Sequence, residues 1–223
     1  MFKILFQRLP QRLLVPYKGY LWVWHLVAVG ITAVIVLTGF DWWFFRQTRG
    51  EILLPLVMVE GIGGMIIPIL VPIFLYIQGK KWKSRKLIRA AIAVTQAAAV
   101  AWIIVAVYKV FTGRIQPDFL FSIDPASVGS GFQFGFFEHG IFWGWPSHHT
   151  AVAVAGATVL YLALKNPLAR FGACIWAGIV ATGAAVGFHW FSDMVAGAIV
   201  GVVVGVAIWQ DVKNTPVIIN KKK

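Results

Sequence analysis

The sequence predicts an all-α integral membrane protein with six transmembrane helices in one bundle and both termini in the cytoplasm. Three observations predict this class. Of the 223 residues, 59% are hydrophobic and only 13% are charged, whereas an average soluble domain carries about 25% charged residues. The hydrophobic residues form runs long enough to cross ~30 Å of hydrocarbon. The basic residues lie mainly between those runs, as they do in polytopic membrane proteins.

Six apolar segments are predicted to be membrane-spanning helices. They comprise residues 20–40, 53–78, 90–112, 147–164, 170–188 and 191–209. A helix of about 20 apolar residues, rising ~1.5 Å per residue, spans the hydrocarbon. The spanning domain is predicted to occupy residues 19–210, between a basic amphipathic segment at 1–18 and a basic cytoplasmic tail at 211–223. The first run is interpreted as a retained span because no small-residue cleavage site follows it.

The distribution of positive charge predicts the orientation. A net charge of +12 would also suit a nucleic-acid-binding protein, but the basic residues cluster between apolar runs instead of forming a stripe on a folded surface. No nucleic-acid partner is therefore expected. With a cytoplasmic N-terminus, sixteen of the 20 basic residues lie inside, in agreement with the positive-inside rule. The longest connection, residues 113–146, then faces outside, and loops of that length are often functional.

Polar residues that a membrane span would exclude gather at the predicted outer ends of three helices. They are Lys109 in the third span, Ser147, His148 and His149 in the fourth, and His189 and Asp193 in the sixth. Ionisable groups within membrane helices are costly and are functional candidates. A carboxylate four residues after a histidine lies one helical turn away and can hold one imidazole nitrogen. A serine after proline is a typical N-cap, and the free N–H groups behind it attract a phosphate.

Other polar residues of the spans have simpler interpretations. His25, on the first span and far from this group, is interpreted as a structural residue. Glu60 lies within the second span, in VEGIGGM, beside glycines that allow helices to approach closely. It is expected to have a structural role or to pair with a site residue. The single cysteine, Cys174, excludes an intramolecular disulfide, and no metal or cofactor is expected.

Three motifs make the chain resemble the type 2 phosphatidic acid phosphatase superfamily, which includes bacterial lipid phosphatases. The superfamily has Lys-x6-Arg-Pro, Pro-Ser-Gly-His and Ser-Arg-x5-His-x3-Asp. The corresponding segments here are KVFTGRIQP at 109–117, WPSHHT at 145–150 and TGAAVGFHWFSD at 182–193. The chain departs from the pattern at three positions, where Gln116, His148 and Gly183 replace arginine, glycine and arginine.

The resemblance implies a role for each matching residue. His189 would form a phosphohistidine, Asp193 would orient it, and His149 would protonate the leaving oxygen. The candidate phosphate-binding residues are Lys109, Ser147, His148, Arg114 and Gln116. Arg114 is included because it lies two positions before Gln116 and could replace the missing arginine. No metal is implied, since protein cations take its place.

The predicted function is a lipid phosphatase or diphosphatase at the periplasmic face of a bacterial inner membrane. Isoprenyl diphosphate, phosphatidylglycerophosphate, phosphatidic acid and a lipid A phosphate are the candidate substrates, and the oligomeric state is left open. One alternative is a lipid phosphotransferase using the same phosphohistidine, suggested by the segment HWFSD at 189–193. Another is a non-catalytic relative that binds a headgroup, suggested by Gln116 and Gly183. A transporter is disfavoured because the polar residues gather at one face and not at the midplane.

Overall fold

The computed structural model describes residues 1–48, 54–117, 131–138 and 140–216. Residues 118–130 and 139 of the predicted outer loop, and residues 217–223 of the predicted tail, lie outside the described residues. The helices of the described part are α1 (Phe2–Leu5), α2 (Leu9–Arg12), a 3-10 helix (Val15–Tyr17), α3 (Leu21–Leu37), α4 (Phe40–Gln47), α5 (Leu54–Lys81), α6 (Arg85–Phe111), α7 (His148–Ala163), α8 (Pro167–Val186) and α9 (Phe191–Asn214).

Each of the six predicted apolar segments corresponds to one helix, namely α3 and α5 to α9. Among the described residues, α5, α6, α8 and α9 are long and apolar enough to cross a membrane. Helix α3 and the segment before it meet at 64° and make a fifth candidate if they form one bent span. Helix α7 has 16 residues, and at ~1.5 Å per residue it covers only ~24 Å. The protein is thus an all-α, multi-pass membrane protein with four or five candidate spans, while six spans and cytoplasmic termini stay predictions.

Side chains define where two of these helices begin. Ser147 is the N-cap of α7, as the preceding proline predicts, and its Oγ accepts a hydrogen bond from the backbone N–H of Thr150 at 3.4 Å. Asn166 caps α8, where its Oδ1 accepts from the N–H of Leu168 at 2.8 Å. Each such cap is worth ~1 kcal/mol. The first cap places His148 and His149 in the opening turn of α7.

Helix α7 packs against α6, α8 and α9. Its contact with α9 depends on small residues spaced one helical turn apart. A Cβ atom added to Gly197 would lie 2.8 Å from the carbonyl oxygen of Ser147, and one added to Gly201 would lie 2.7 Å from that of Ala151. Small residues at this spacing let membrane helices approach closely. The first turn of α7 therefore lies beside the first turn of α9.

The predicted basic segment, residues 1–18, packs against α6 and the C-terminal end of α9. Arg12 is only 3% exposed. Its Nε donates to Oδ2 of Asp211 at 2.6 Å, and its Nη1 donates to Oε1 of Gln96. Helix α9 continues to Asn214, so residues 211–214 of the predicted tail are helical. This part-buried ion pair ties the N-terminal segment to the C-terminal end of α9.

A short hairpin interrupts the helical architecture. Strand β1 (Thr112–Arg114) follows α6 directly and pairs antiparallel with β2 (Phe132–Phe134), with Gly113 opposite Gln133. The sequence analysis did not predict these strands, because three-residue elements leave no readable alternation. The hairpin holds Arg114 where its side chain enters the bundle, with 1% exposure.

Candidate active site

A cavity of about 450 Å³ lies between α5, α6 and α7. Four of the predicted site residues line it: Lys109, His148, His149 and His189. They come from the end of α6, the start of α7 and the connection between α8 and α9. The rest of the lining is largely apolar and includes Met65, Ile69, Ala98 and Trp102. The four predicted residues, which are up to 80 positions apart in the sequence, thus meet in one pocket.

His189 and Asp193 form the predicted pair, but not across one turn of a helix. His189 precedes α9, while Asp193 lies in its first turn. Nδ1 of His189 lies 3.4 Å from Oδ2 of Asp193, and the same oxygen accepts from the backbone N–H of Trp190 at 3.3 Å. The carboxylate therefore caps α9 and holds the imidazole at the same time. The backbone N–H of His189 donates to the carbonyl of Ala184, which fixes the residue at the end of α8.

Burial changes the acid–base properties of His189. The ring is enclosed by the protein, and this burial lowers the pKa of His189 below its ordinary value because the imidazolium is poorly solvated there. The hydrogen bond to Asp193 opposes this effect in part. The ring is therefore neutral at pH 7, with Nδ1 held by the carboxylate and Nε2 available for chemistry.

Asp193 is itself held by a buried cluster of charges. Nη1 of Arg114 donates to Oδ1 of Asp193 and, at 2.8 Å, to Oγ of Ser192. Nη2 of Arg114 donates to Oδ2 of Asp41 at 2.7 Å. Asp41 also accepts from the backbone N–H and the hydroxyl of Ser192, at 2.8 and 2.6 Å. Arg114 therefore lies behind Asp193 and is not part of the cavity lining.

The other candidate phosphate-binding residues lie around the same end of the cavity. Lys109 is 1% exposed, and its Nζ donates to the carbonyl of Phe142 at 3.1 Å. The backbone N–H of Ser147 donates to the carbonyl of Asp193 at 3.0 Å. The ring of His148 stacks on Trp102, with Nε2 at 3.2 Å from the Trp102 carbonyl. These contacts fix Lys109 and the start of α7 before any ligand binds.

Gln116 is also buried, at the position where the superfamily has an arginine. Its Nε2 donates to the carbonyl of Gly144 at 3.1 Å. This bond ties the chain after β1 to the segment just before α7. Gln116 is not part of the cavity lining.

Glu60 of α5 lies against His149. Its Oε1 is 2.6 Å from Nδ1 of His149, and its side chain is fully buried. The cavity thus holds two histidines, each with a carboxylate at Nδ1. His25, interpreted as structural, lies elsewhere and its Nδ1 is 2.7 Å from the hydroxyl of Tyr108.

Sequence reasoning did not assign Asp41 to the site, and it left Glu60 with either a structural role or an unnamed site partner. Each is an isolated carboxylate in an apolar or aromatic run, FDWWFF for Asp41 and VEGIGGM for Glu60. Such residues are costly in a membrane unless they are paired. That cost is the signal by which both could have been found, although it does not identify the partner.

Residues 90–216, more than half of the chain, match the PAP2 superfamily. The chain therefore belongs to the PAP2 superfamily, as its three motifs predicted. Comparison with curated protein sequences and with solved structures gave no match.

Membership of this superfamily indicates a membrane phosphatase-type enzyme that acts on phosphorylated substrates without a metal. The matched region covers all but the first five residues of α6 and the whole of α7 to α9, including Lys109, His149, His189 and Asp193. It does not include α5, which supplies Glu60, or α4, which supplies Asp41.

Proposed function

We propose that the protein is a lipid phosphatase or diphosphatase that removes phosphate from a membrane lipid through a phosphohistidine at His189. The observation that carries this proposal is a single cavity with His149, His189 and Lys109 at one end and apolar residues of α5 and α6 at the other. The reaction is proposed to take place at the periplasmic face of a bacterial inner membrane, because the positive-inside rule orients the helices that way.

The first step forms a phosphorus–nitrogen bond. The lone pair of Nε2 on neutral His189 attacks phosphorus, while Asp193 holds the proton on Nδ1. The bond between phosphorus and the leaving oxygen breaks, and its electron pair stays on that oxygen. His149, as the imidazolium, donates its Nε2 proton to the oxygen, so the lipid alcohol or phosphate leaves with its proton.

The second step returns the enzyme to its starting state. Water attacks the phosphohistidine, and neutral His149 accepts a proton from that water. The phosphorus–nitrogen bond breaks with its electron pair on Nε2 of His189, and inorganic phosphate leaves. The two histidines thus exchange acid and base roles between the steps, as two-step group transfer requires.

Lys109 is proposed to neutralise the phosphoryl oxygens, with His148 of the cavity lining as a further candidate contact. Ser147 and Gln116 are not part of the lining, so their phosphate contacts stay predictions from the motifs. A fixed cation in a cavity that excludes water stabilises developing negative charge far better than one in solvent. We assign Arg114 a different role from the phosphate contact that the sequence suggested. Its guanidinium is bonded to Asp41, Ser192 and Asp193, and we propose that it positions Asp193.

The shape of the cavity supports a lipid as substrate. Ala98 lies 11 positions before Lys109 on α6, which is ~16 Å along the helix axis at ~1.5 Å per residue. Met65 and Ile69 of α5 are 65% and 60% exposed, so the apolar end borders the surface that lipid would cover. A hydrocarbon chain can occupy this end while the phosphate lies at Lys109. Isoprenyl diphosphate, phosphatidylglycerophosphate, phosphatidic acid and a lipid A phosphate all have this form.

A phosphate-release assay on the purified protein in detergent tests the proposal. Wild type is expected to release phosphate from at least one of the four lipids, and His189→Ala is expected to lose nearly all of this activity. His25→Gln is the control, because His25 lies outside the cavity. Release that survives in His189→Ala would contradict the mechanism.

A lipid phosphotransferase that uses the same phosphohistidine is the second candidate. The apolar border of the cavity would admit an acceptor lipid as well as a donor. Incubation with the donor alone separates the two functions: inorganic phosphate accumulates with a hydrolase, whereas a transferase forms product only when an acceptor lipid is added.

A further inference from the structure

Glu60 forms an ion-pair contact that the PAP2 motifs do not include. Its side chain is fully buried on α5, and its Oε1 lies 2.6 Å from Nδ1 of His149. Burying a carboxylate within a membrane bundle costs free energy unless a cation or a hydrogen-bond donor compensates it. Nδ1 of His149 supplies that compensation when the ring is protonated.

Two glycines allow the contact. A Cβ atom added to Gly183 would lie 2.5 Å from Cβ of Glu60 and 2.5 Å from the carbonyl oxygen of Leu56. Helix α8 therefore approaches α5 so closely here that no side chain fits. A Cβ atom added to Gly64 would lie 3.0 Å from Cδ2 of His149, so the ring packs against the backbone of α5.

Gly183 occupies the motif position where the superfamily has an arginine. The space in which that arginine would begin is filled here by Glu60. The two arrangements exclude each other on steric grounds. This chain thus has the carboxylate of Glu60 beside His149, and it lacks the arginine of the third motif.

The charged groups facing His149 have opposing effects on its protonation. Lys109 from α6, His148 from α7 and His189 before α9 line the same cavity, and a positive charge on any of them disfavours the imidazolium. Glu60 from α5 favours it. Among the described residues in contact with the ring, Glu60 alone provides negative charge.

We propose that Glu60 is the positioning residue that keeps His149 protonated as the general acid. This inference rests on the proposed function. The carboxylate stabilises the positive charge of the ring from the Nδ1 side, and the Nε2 proton passes to the leaving oxygen as its bond to phosphorus breaks. Glu60 contacts neither phosphate nor leaving group, and acts only through His149.

Two long-chain phosphate monoesters of matched length test this role, one with an alkyl leaving group and one with a nitrophenyl leaving group. Only the alkoxide needs a proton as it departs. In Glu60→Gln, kcat/KM is expected to fall about 10²-fold on the alkyl ester, the usual contribution of general acid catalysis. On the nitrophenyl ester it is expected to change less than about 3-fold. Equal losses on both esters would overturn the proposal.

Two further variants complete this comparison. His149→Gln is expected to give the same pattern, and adding Glu60→Gln to it should cause little further loss, because the two residues act as one unit. Asp211→Asn is the matched control, since it removes a carboxylate paired with Arg12 away from the cavity. It is expected to leave the ratio of the two activities unchanged.

A titration that needs no turnover separates this inference from the proposed function. In ¹⁵N-histidine NMR, the His149 signals are identified by their loss in His149→Gln. The titration midpoint of His149 is expected to fall by at least about one pH unit in Glu60→Gln. An unchanged midpoint overturns the inference. If the midpoint shifts but the wild-type protein releases phosphate from neither ester, the pairing of Glu60 with His149 is supported and the proposed phosphatase function is contradicted.

Discussion

Arg114 and Asp193 are joined by a buried hydrogen bond from Nη1 to Oδ1, and neither side chain is exposed. Oδ2 of Asp193 faces His189. The carboxylate is therefore held on one side by a guanidinium and on the other by the ring that it orients. Asp41 and Ser192 complete the cluster behind it.

Arg114→Gln is expected to lower kcat strongly and to leave KM nearly unchanged. The variant leaves two buried carboxylates without their cation, and breaking one partner of a buried ion pair typically costs ~3–5 kcal/mol of stability. Thermal unfolding in detergent and steady-state kinetics measure the two effects. A large rise in KM with an unchanged kcat would instead support the phosphate-binding role that the sequence suggested for Arg114.

Lys109→Gln is expected to weaken phosphate binding. Hydrogen bonds to charged groups contribute ~1.5–3 kcal/mol, so the inhibition constant for inorganic phosphate should rise about 10- to 100-fold. Lys81→Gln, which removes the lysine at the C-terminal end of α5, is the control. Unaltered inhibition of Lys109→Gln would place the phosphate elsewhere in the cavity.

The pH dependence of kcat/KM is expected to be bell-shaped. Attack needs neutral His189, whose pKa lies below its ordinary value because the ring is buried, so activity should persist below pH ~6.5 and fall only as pH drops through that lowered pKa. Protonation of the leaving oxygen needs His149 as the imidazolium, so activity should also fall at high pH. A profile that falls on neither the acidic nor the alkaline side would contradict the two histidine roles.

The same pKa shift makes stability depend on pH. Below the ordinary histidine pKa of ~6.5, the unfolded chain binds a proton at His189 that the folded protein excludes. The contribution of neutral His189 to stability is thus complete above about pH 6.5 and decreases as the solution becomes more acidic. Melting temperatures of wild type and His189→Gln in detergent should therefore converge toward low pH. Parallel curves would indicate that the native ring titrates normally.

Gly201→Ala is expected to destabilise the contact between α7 and α9. The new methyl group would lie 2.7 Å from the carbonyl oxygen of Ala151, and forcing a methyl into a well-packed core typically costs ~1–3 kcal/mol. Gly178→Ala is the matched control, because a Cβ atom there meets nothing within 4 Å. Equal melting temperatures for the two variants would show that the close approach is not required.

The sequence by itself determined the membrane class, the position of six apolar helices, the superfamily and the residues of its motifs. These features are local, since long apolar runs, a Pro-Ser helix start and short motifs can be read without knowing what packs against them. The number of spans does not follow from the apolar runs, because it also depends on helix length and bending. Helix α7 is short and α3 meets the preceding segment at 64°, and a count of hydrophobic residues does not contain either geometry.

Only the tertiary structure decided the partners of the buried charges. Asp41, Arg114 and Asp193 come from three separate parts of the chain, as do Glu60, His149 and Gly183, and only the tertiary packing brings each set together. A buried charge must be paired, so the sequence could reveal that Asp41 and Glu60, which lie in apolar or aromatic runs, need partners. The partner of Glu60 depends on the close helix approach at Gly64 and Gly183, and the partner of Asp41 depends on the hairpin that carries Arg114 into the bundle.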